Sequence, residues 1–155
     1  MKNKFNSRNV LFYTFSNTKQ FINHWNSLAK TVISKLFIYS HGNAGYLDFG
    51  DKDIFYFSTV AQLLKKLNVC GMVYLLSCYG GSGSRHGSVA SEVSKLTGAK
   101  VRAAVKSRVM LLYGINPFLH SADKLYGGYW ADFKSYKTGK RWSTKITNKT
   151  KSWSL

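Results

Sequence analysis

The sequence predicts an α/β protein with a mostly parallel central sheet flanked by helices, followed by a C-terminal β-hairpin or flap. Three observations predict it. Short apolar runs alternate with stretches of helical apolar spacing between Val10 and Val105, the pattern of strands joined by right-handed helical crossovers. Two of those runs stop at residues able to do chemistry, Leu36-Phe37-Ile38-Tyr39-Ser40-His41-Gly42 and Val73-Tyr74-Leu75-Leu76-Ser77-Cys78-Tyr79-Gly80-Gly81-Ser82-Gly83. Beyond Arg108 the helical spacing ends and aromatic, strand-like segments take over.

Taken in order, Val10 to Phe15 reads as a first strand, rich in β-favouring residues and closed by Ser16-Asn17. Asn17 or Thr18 caps a helix to about Lys30, with Phe21, Trp25, Leu28 and Val32 at helical spacing. Val32 to Tyr39 is the second strand and delivers His41. Tyr46 to Asp51 and Ile54 to Phe57 suit a small hairpin, and three of the six acids, Asp48, Asp51 and Asp53, lie in this excursion. With no histidine or further acid beside them, they make a poor metal site. Ser58 caps a helix through Leu67, closed by Asn68 and Gly71, and Met72 to Ser77 is the third strand. A third helix runs from about Gly87 to Thr97 with Gly98 after its end, and Lys100 to Val105 is the fourth strand. Val109 to Tyr113 and Gly128 to Phe133 then suit a hairpin or flap, joined by a long connection with Pro117 and His120.

The 155 residues fit one domain, spanning 1–155, with a basic tail from about 134. A hydrophobic fraction of 45% argues against disorder. Twenty-three Lys and Arg against six Asp and Glu give a net charge of +17, which admits nucleic acid, a phosphorylated small molecule, an acidic protein or an anionic surface as partner. Cys70 and Cys78 are too few for a disulfide scaffold and are set about 25 Å apart along one strand at ~3.3 Å per residue. The run at Val10 to Phe15 is too short for a signal peptide core, and no stretch approaches the ~20 apolar residues of a membrane span. The expectation is a soluble, reduced protein, either cytoplasmic or delivered by a dedicated secretion system.

Two parallel strands ending side by side would bring His41 and Cys78 together at the carboxyl edge of the sheet, where α/β proteins hold ligands. A cysteine followed by glycines has backbone N–H groups around it that can stabilise a thiolate and then an oxyanion. A histidine on the neighbouring strand can protonate an amide leaving group. Gly42 would let the amide next to the histidine approach a carbonyl. The bland alternative is a buried structural cysteine, the reading given to Cys70. Three other motifs fail on spacing. A phosphatase loop needs Cys-x₅-Arg, but Ser84 stands in the place and Arg85 is one residue too far. A dinucleotide fingerprint fits Gly81 and Gly83 but finds His86 at the third glycine and no acid between Glu92 and Asp123. A serine-hydrolase elbow is not formed by Gly80 to Ser84. His86 and His120 remain as other partners for the thiol.

Ile38-Tyr39-Ser40-His41-Gly42 and Tyr74-Leu75-Leu76-Ser77-Cys78-Tyr79-Gly80 resemble the two signature strands of the caspase–haemoglobinase-fold cysteine peptidases. The nearest likeness is to the self-processing cysteine peptidase domains of large bacterial toxins, over roughly Leu36 to Phe133, and related domains occur in polymorphic toxins. The resemblance implies a caspase-like fold and a cysteine endopeptidase with a His41/Cys78 dyad. It also implies an oxyanion hole of Gly42 and the Cys78 amide, a protein or peptide substrate, and no required cofactor. It further implies an activating polyanion such as inositol hexakisphosphate, for which Lys134, Lys137, Lys140, Arg141 and Lys145 are the candidate ligands. A toxin or effector role would bring a cognate immunity or inhibitor protein as a partner. Two alternatives stay open. One is a basic nucleic-acid-binding or nuclease toxin module, motivated by the charge and by Tyr and Trp interleaved with Lys in the last third. The other is an inactive peptidase-like binding domain.

Overall fold

The computed structural model describes residues 10–52, 55–83, 87–106, 109–111, 119–122 and 128–154, with the strands between 109 and 122 and at 152–154 described by their backbone pairing. The expectations placed on Asp53, Ile54, Ser84, Arg85, His86, Tyr113 and Pro117, and on the side chain of His120, lie outside the described residues. A five-stranded mixed sheet runs in the order β1 (Val32–Tyr39), β4 (Asn68–Leu76), β5 (Lys100–Val105), β8 (Tyr129–Thr138), β9 (Arg141–Thr150). The first three strands are parallel and the last two pairings antiparallel. A short hairpin joins β2 (His41–Asn43) to β3 (Tyr46–Asp48), and a three-stranded sheet has the order β10 (Ser152–Ser154), β7 (Leu119–Ala122), β6 (Val109–Leu111).

Three helices, α1 (Thr18–Ser27), α2 (Phe57–Ala61) and α3 (Val89–Thr97), feed one core cluster with one face of the sheet. Phe21 and Trp25 of α1 pack with Phe49 and Phe57, the Phe21–Phe49 rings 4.5 Å apart. Val89, Ala90 and Val93 of α3 meet Val73, Leu75, Val101, Ala103 and Phe133. Hydroxyls add to this packing: the Ser135 amide donates to Ser94 Oγ (2.9 Å) and Ser135 Oγ to the Ser91 carbonyl (3.0 Å), fastening α3 to β8. The sheet order moves in one direction from β1 through β4 to β5, so right-handed crossovers place their helices on the same face. Among the described residues the other face holds the small buried cluster of Leu76, Ala104 and Trp130, with Phe37 and Tyr74 against it. The protein is thus α/β as expected, with a mixed sheet whose first three strands are parallel and whose described helices lie on one face.

Several expected elements take different forms. Val10 to Phe15 is not a strand: Phe12 is 83% exposed, and of this run Phe15 is the residue that turns inward, edge-on to Phe21. Without that strand the sheet ends at β1. The α1 cap is as expected, with Asn17 accepting from the Gln20 amide at 2.9 Å. Asp51 accepts from the amide and hydroxyl of Thr18, so this acid belongs to the start of α1. The second helix starts at Phe57, with Ser58 inside it, and stops at Ala61. Beyond it Asn26 takes over the backbone partners, donating to the Leu63 carbonyl and accepting from the Lys65 amide. Released from helical geometry, Leu64 and Leu67 both reach the core.

Gly71 lies within β4 rather than ending a helix. A Cβ there would sit 2.1 Å from the Ser34 carbonyl oxygen, where β1 carries an irregularity between Ile33 and Lys35. α3 is capped by Ser88 and ends at Gly98, whose φ of 66° is the left-handed turn expected of it. The flap pairing is corrected: β6 pairs with β7, while Tyr129 to Phe133 pair with β5. The basic tail forms the C-terminal hairpin, β8 with β9, turning at Gly139 and Lys140. Among the described residues no helix is long and apolar enough to cross a membrane.

Candidate functional site

The carboxyl ends of β1 and β4 lie side by side. Tyr39 pairs with Leu76, and the Ser40 amide donates to the Leu76 carbonyl at 3.4 Å. His41 and Cys78 therefore stand at equal offsets, two residues past a directly paired position on adjacent parallel strands. Contact continues past the strand ends, since a Cβ on Gly42 would lie 3.4 Å from the Ser77 Cβ. That same Cβ would be 2.9 Å from the Tyr46 carbonyl oxygen, so the glycine is demanded by the close turn of β2 against β3 as well as by any substrate. His41 is exposed and Cys78 half-buried. Cys70 is exposed within β4, with Sγ 3.5 Å from the Ile33 carbonyl oxygen, and both cysteines are free thiols.

The loop after Cys78 is held from two sides. The Gly81 amide donates to the Ala104 carbonyl (2.8 Å), and the Lys106 amide to Ser82 Oγ (2.7 Å), which ties the loop to the end of β5. The Ala90 amide, in the first turn of α3, donates to the Gly80 carbonyl at 3.0 Å. Tyr79 takes a φ of 55°, a left-handed turn in a residue with a side chain, and the Ser82 amide closes that turn by donating to the Tyr79 carbonyl at 2.8 Å. Gly81 permits the close packing, because a Cβ would come within 2.7 Å of the Phe133 ring and 2.9 Å of Val105. Gly80 does the same against Leu75 and Ser77 Oγ, each 2.7 Å from a built Cβ. Among the described residues the Cys78 and Tyr79 amides have no hydrogen-bond acceptor. A fixed loop with unsatisfied N–H groups at the thiol is what an oxyanion would need.

Register adds a residue that the sequence places only among the acids of the excursion. Asp48 lies directly opposite His41 on the β2–β3 hairpin, and its Oδ1 accepts from the Gly50 amide at 2.8 Å. Opposed residues in an antiparallel pair have Cβ atoms ~4.5–5.5 Å apart, so Asp48 is the acid that the hairpin register sets opposite the histidine, although its hydrogen-bond partner is the Gly50 amide. The signal was present as a His and an Asp flanking a tight Asn43-Ala44-Gly45 turn, but only pairing reveals that they face each other.

The five polyanion candidates do not form one cluster. Along the β8–β9 hairpin Lys134, Arg141 and Lys145 share one face, Lys137 stands on the other opposite Trp142, and Lys140 occupies the turn. A depression of about 240 Å³ lined by Ser58, Gln62, Glu92, Lys95, Leu96 and Trp142 opens on the helical side of the sheet, between α2, α3 and β9. Among the described residues no group of three or more His, Cys, Asp and Glu side chains could hold a metal ion. No protein-family model, curated protein or solved structure matches the chain.

Proposed function

We propose that the protein is a cysteine endopeptidase working through a His41/Cys78 dyad, as the resemblance to the caspase–haemoglobinase-fold peptidases implies. The observation that carries the reading is the pairing of Tyr39 with Leu76, which sets the histidine and the cysteine at matching offsets beyond neighbouring strand ends. The Cys78 thiolate adds to a peptide carbonyl, and the resulting oxyanion takes hydrogen bonds from the Cys78 amide and the amide of Gly42. His41 passes a proton to the departing amine as the C–N bond breaks, leaving a thioester on Cys78. Water, deprotonated by His41, then cleaves the thioester and restores the thiol. Asp48, opposite His41 in the β2–β3 register, is the acid placed to orient the imidazole once a substrate is bound.

The α/β architecture is compatible with the fold that the resemblance implies but common to many others, so the proposal rests on the local strand ends rather than on the whole architecture. A toxin or effector role and activation by inositol hexakisphosphate rest on the resemblance alone. The test is mass spectrometry of new N-termini in a proteome incubated with the wild type, Cys78→Ala and His41→Ala. A set of cleavages made by the wild type and lost in both variants supports the reading. Identical N-termini from all three would sink it.

A further inference from the structure

The sheet face turned away from the helices carries a pattern separate from the dyad. Side chains alternate along strands, so register sorts every second residue into rows across this face. One row reads Lys35, Met72, Lys100, Lys134, Lys145: Lys35 pairs with Met72, Met72 with Lys100 and Lys134 with Lys145. One step beyond the Val101–Phe133 pair sets Lys100 against Lys134. The row on one side holds Phe37 and Tyr74, stacked at 4.8 Å and 9°, then Arg102 and Asp132. The row on the other side holds Tyr136, which is 47% exposed.

Lys35, Lys100 and Lys145 are exposed, and Lys134 is half-buried with its Nζ donating to the Gly98 carbonyl. Among the described residues the acid on this face is Asp132, which is 2% exposed and engaged by Arg102 and Asn148, so it does not offset the lysines. Like charges directly opposite on neighbouring strands destabilise a sheet. Three adjacent strands bearing them in register make sense against a polyanion. Five strands at ~4.8 Å spacing give a row about 19 Å long. Cations spread along such a line suit an extended chain of phosphates, whereas a compact polyphosphate needs cations converging on one point. Rings bordering the row on both sides suit unpaired bases, which a duplex keeps stacked on one another.

We propose that this face binds single-stranded nucleic acid, with phosphates over the lysine row and bases against Phe37 and Tyr136. The site lies toward the amino ends of the parallel strands, away from His41 and Cys78, and stands without the peptidase reading. The test is fluorescence anisotropy on the full chain with a labelled twelve-nucleotide oligothymidylate and oligouridylate, a duplex of equal length, and unlabelled inositol hexakisphosphate as competitor. Either single strand should bind more tightly than the duplex at matched salt, and the comparison of the two identifies DNA or RNA as the preferred source. K35Q/K100Q/K145Q should reduce the log–log salt slope by about 2, at ~0.7 for each phosphate no longer neutralised. K19Q/K30Q/K65Q, which removes three exposed lysines from the helical side, should change it by less than half as much. Tyr136→Ala should weaken single-strand binding about fivefold or more with the slope unchanged. Removing like charges should leave the melting temperature unchanged or raised, so loss of binding by K35Q/K100Q/K145Q is not loss of fold. Equal slopes for the two triple variants would overturn the proposal. So would duplex binding as tight as single-strand binding, or displacement by equimolar inositol hexakisphosphate together with no effect of Tyr136→Ala.

Discussion

Gly81 shows how narrow the tolerance of the cysteine loop is. A Cβ at this position would press on the Phe133 ring and on Val105, both parts of the buried core, and overpacking of this kind costs about 1–3 kcal/mol. Gly81→Ala is expected to lower the urea midpoint accordingly and to reduce cleavage, because the loop cannot shift without moving the Cys78 amide. Asp48 makes the opposite case. It is exposed, so Asp48→Ala should leave the melting temperature unchanged while lowering kcat roughly tenfold at constant KM, with Asp48→Glu restoring part of the rate. A fall in melting temperature that matches the fall in rate would make Asp48 a structural residue only. At this scale the sequence was informative where the residue type itself suggests the proposed chemistry, as in His41 and Cys78. It was silent where meaning comes from a neighbour across a strand, as in Asp48, Lys35 and Lys100.

At the scale of elements, β5 and β8 are joined by more than their ladder. The Asp132 carboxylate accepts from Arg102 Nε at 2.8 Å and from its terminal nitrogen at 3.1 Å, with Asn148 Nδ2 of β9 at 2.7 Å. Asp132→Ala removes the carboxylate shared by Arg102 and Asn148 and should cost about 1–3 kcal/mol in urea unfolding, with Arg102→Met in the same chain recovering part of it. An unchanged midpoint for Asp132→Ala would show that the pair contributes nothing. Elements defined by local pattern were legible: α1 with its Asn17 cap, α3 ending at Gly98, and the parallel strands carrying the two motifs. Elements defined by tertiary bonds were not. The side chain of Asn26 ends α2 early, the Ser34 backbone explains Gly71, and β8 chose β5 over β6 because Ala131 and Phe133 complete the helical-side core. Val10 to Phe15 had the β-favouring composition of a strand, but such propensity reports fit to a half-buried surface rather than a backbone preference, and no sheet edge receives it.

For the whole molecule, the decisive fact is a sheet whose parallel order never reverses. That keeps the described helices on one face, leaves the lysine row on the other, and gathers His41 and Cys78 at the carboxyl ends of β1 and β4. The α/β class could be read from alternation, but which strands are neighbours could not, and a face without a described helix follows only from that order. The net charge of +17 was visible from composition, while its distribution into a line required the register. The central claim, that Cys78 is activated by His41, has a built-in reference in Cys70, which is the more exposed of the two thiols. The direct measurement is the rate of iodoacetamide modification of each cysteine at neutral pH, resolved by peptide mass spectrometry, in the wild type and in His41→Ala. Cys78 should react about tenfold or more faster than Cys70 despite its lower exposure, and should fall toward the Cys70 rate when His41 is replaced. Equal rates in the wild type, or a fast Cys78 indifferent to His41→Ala, would contradict the dyad.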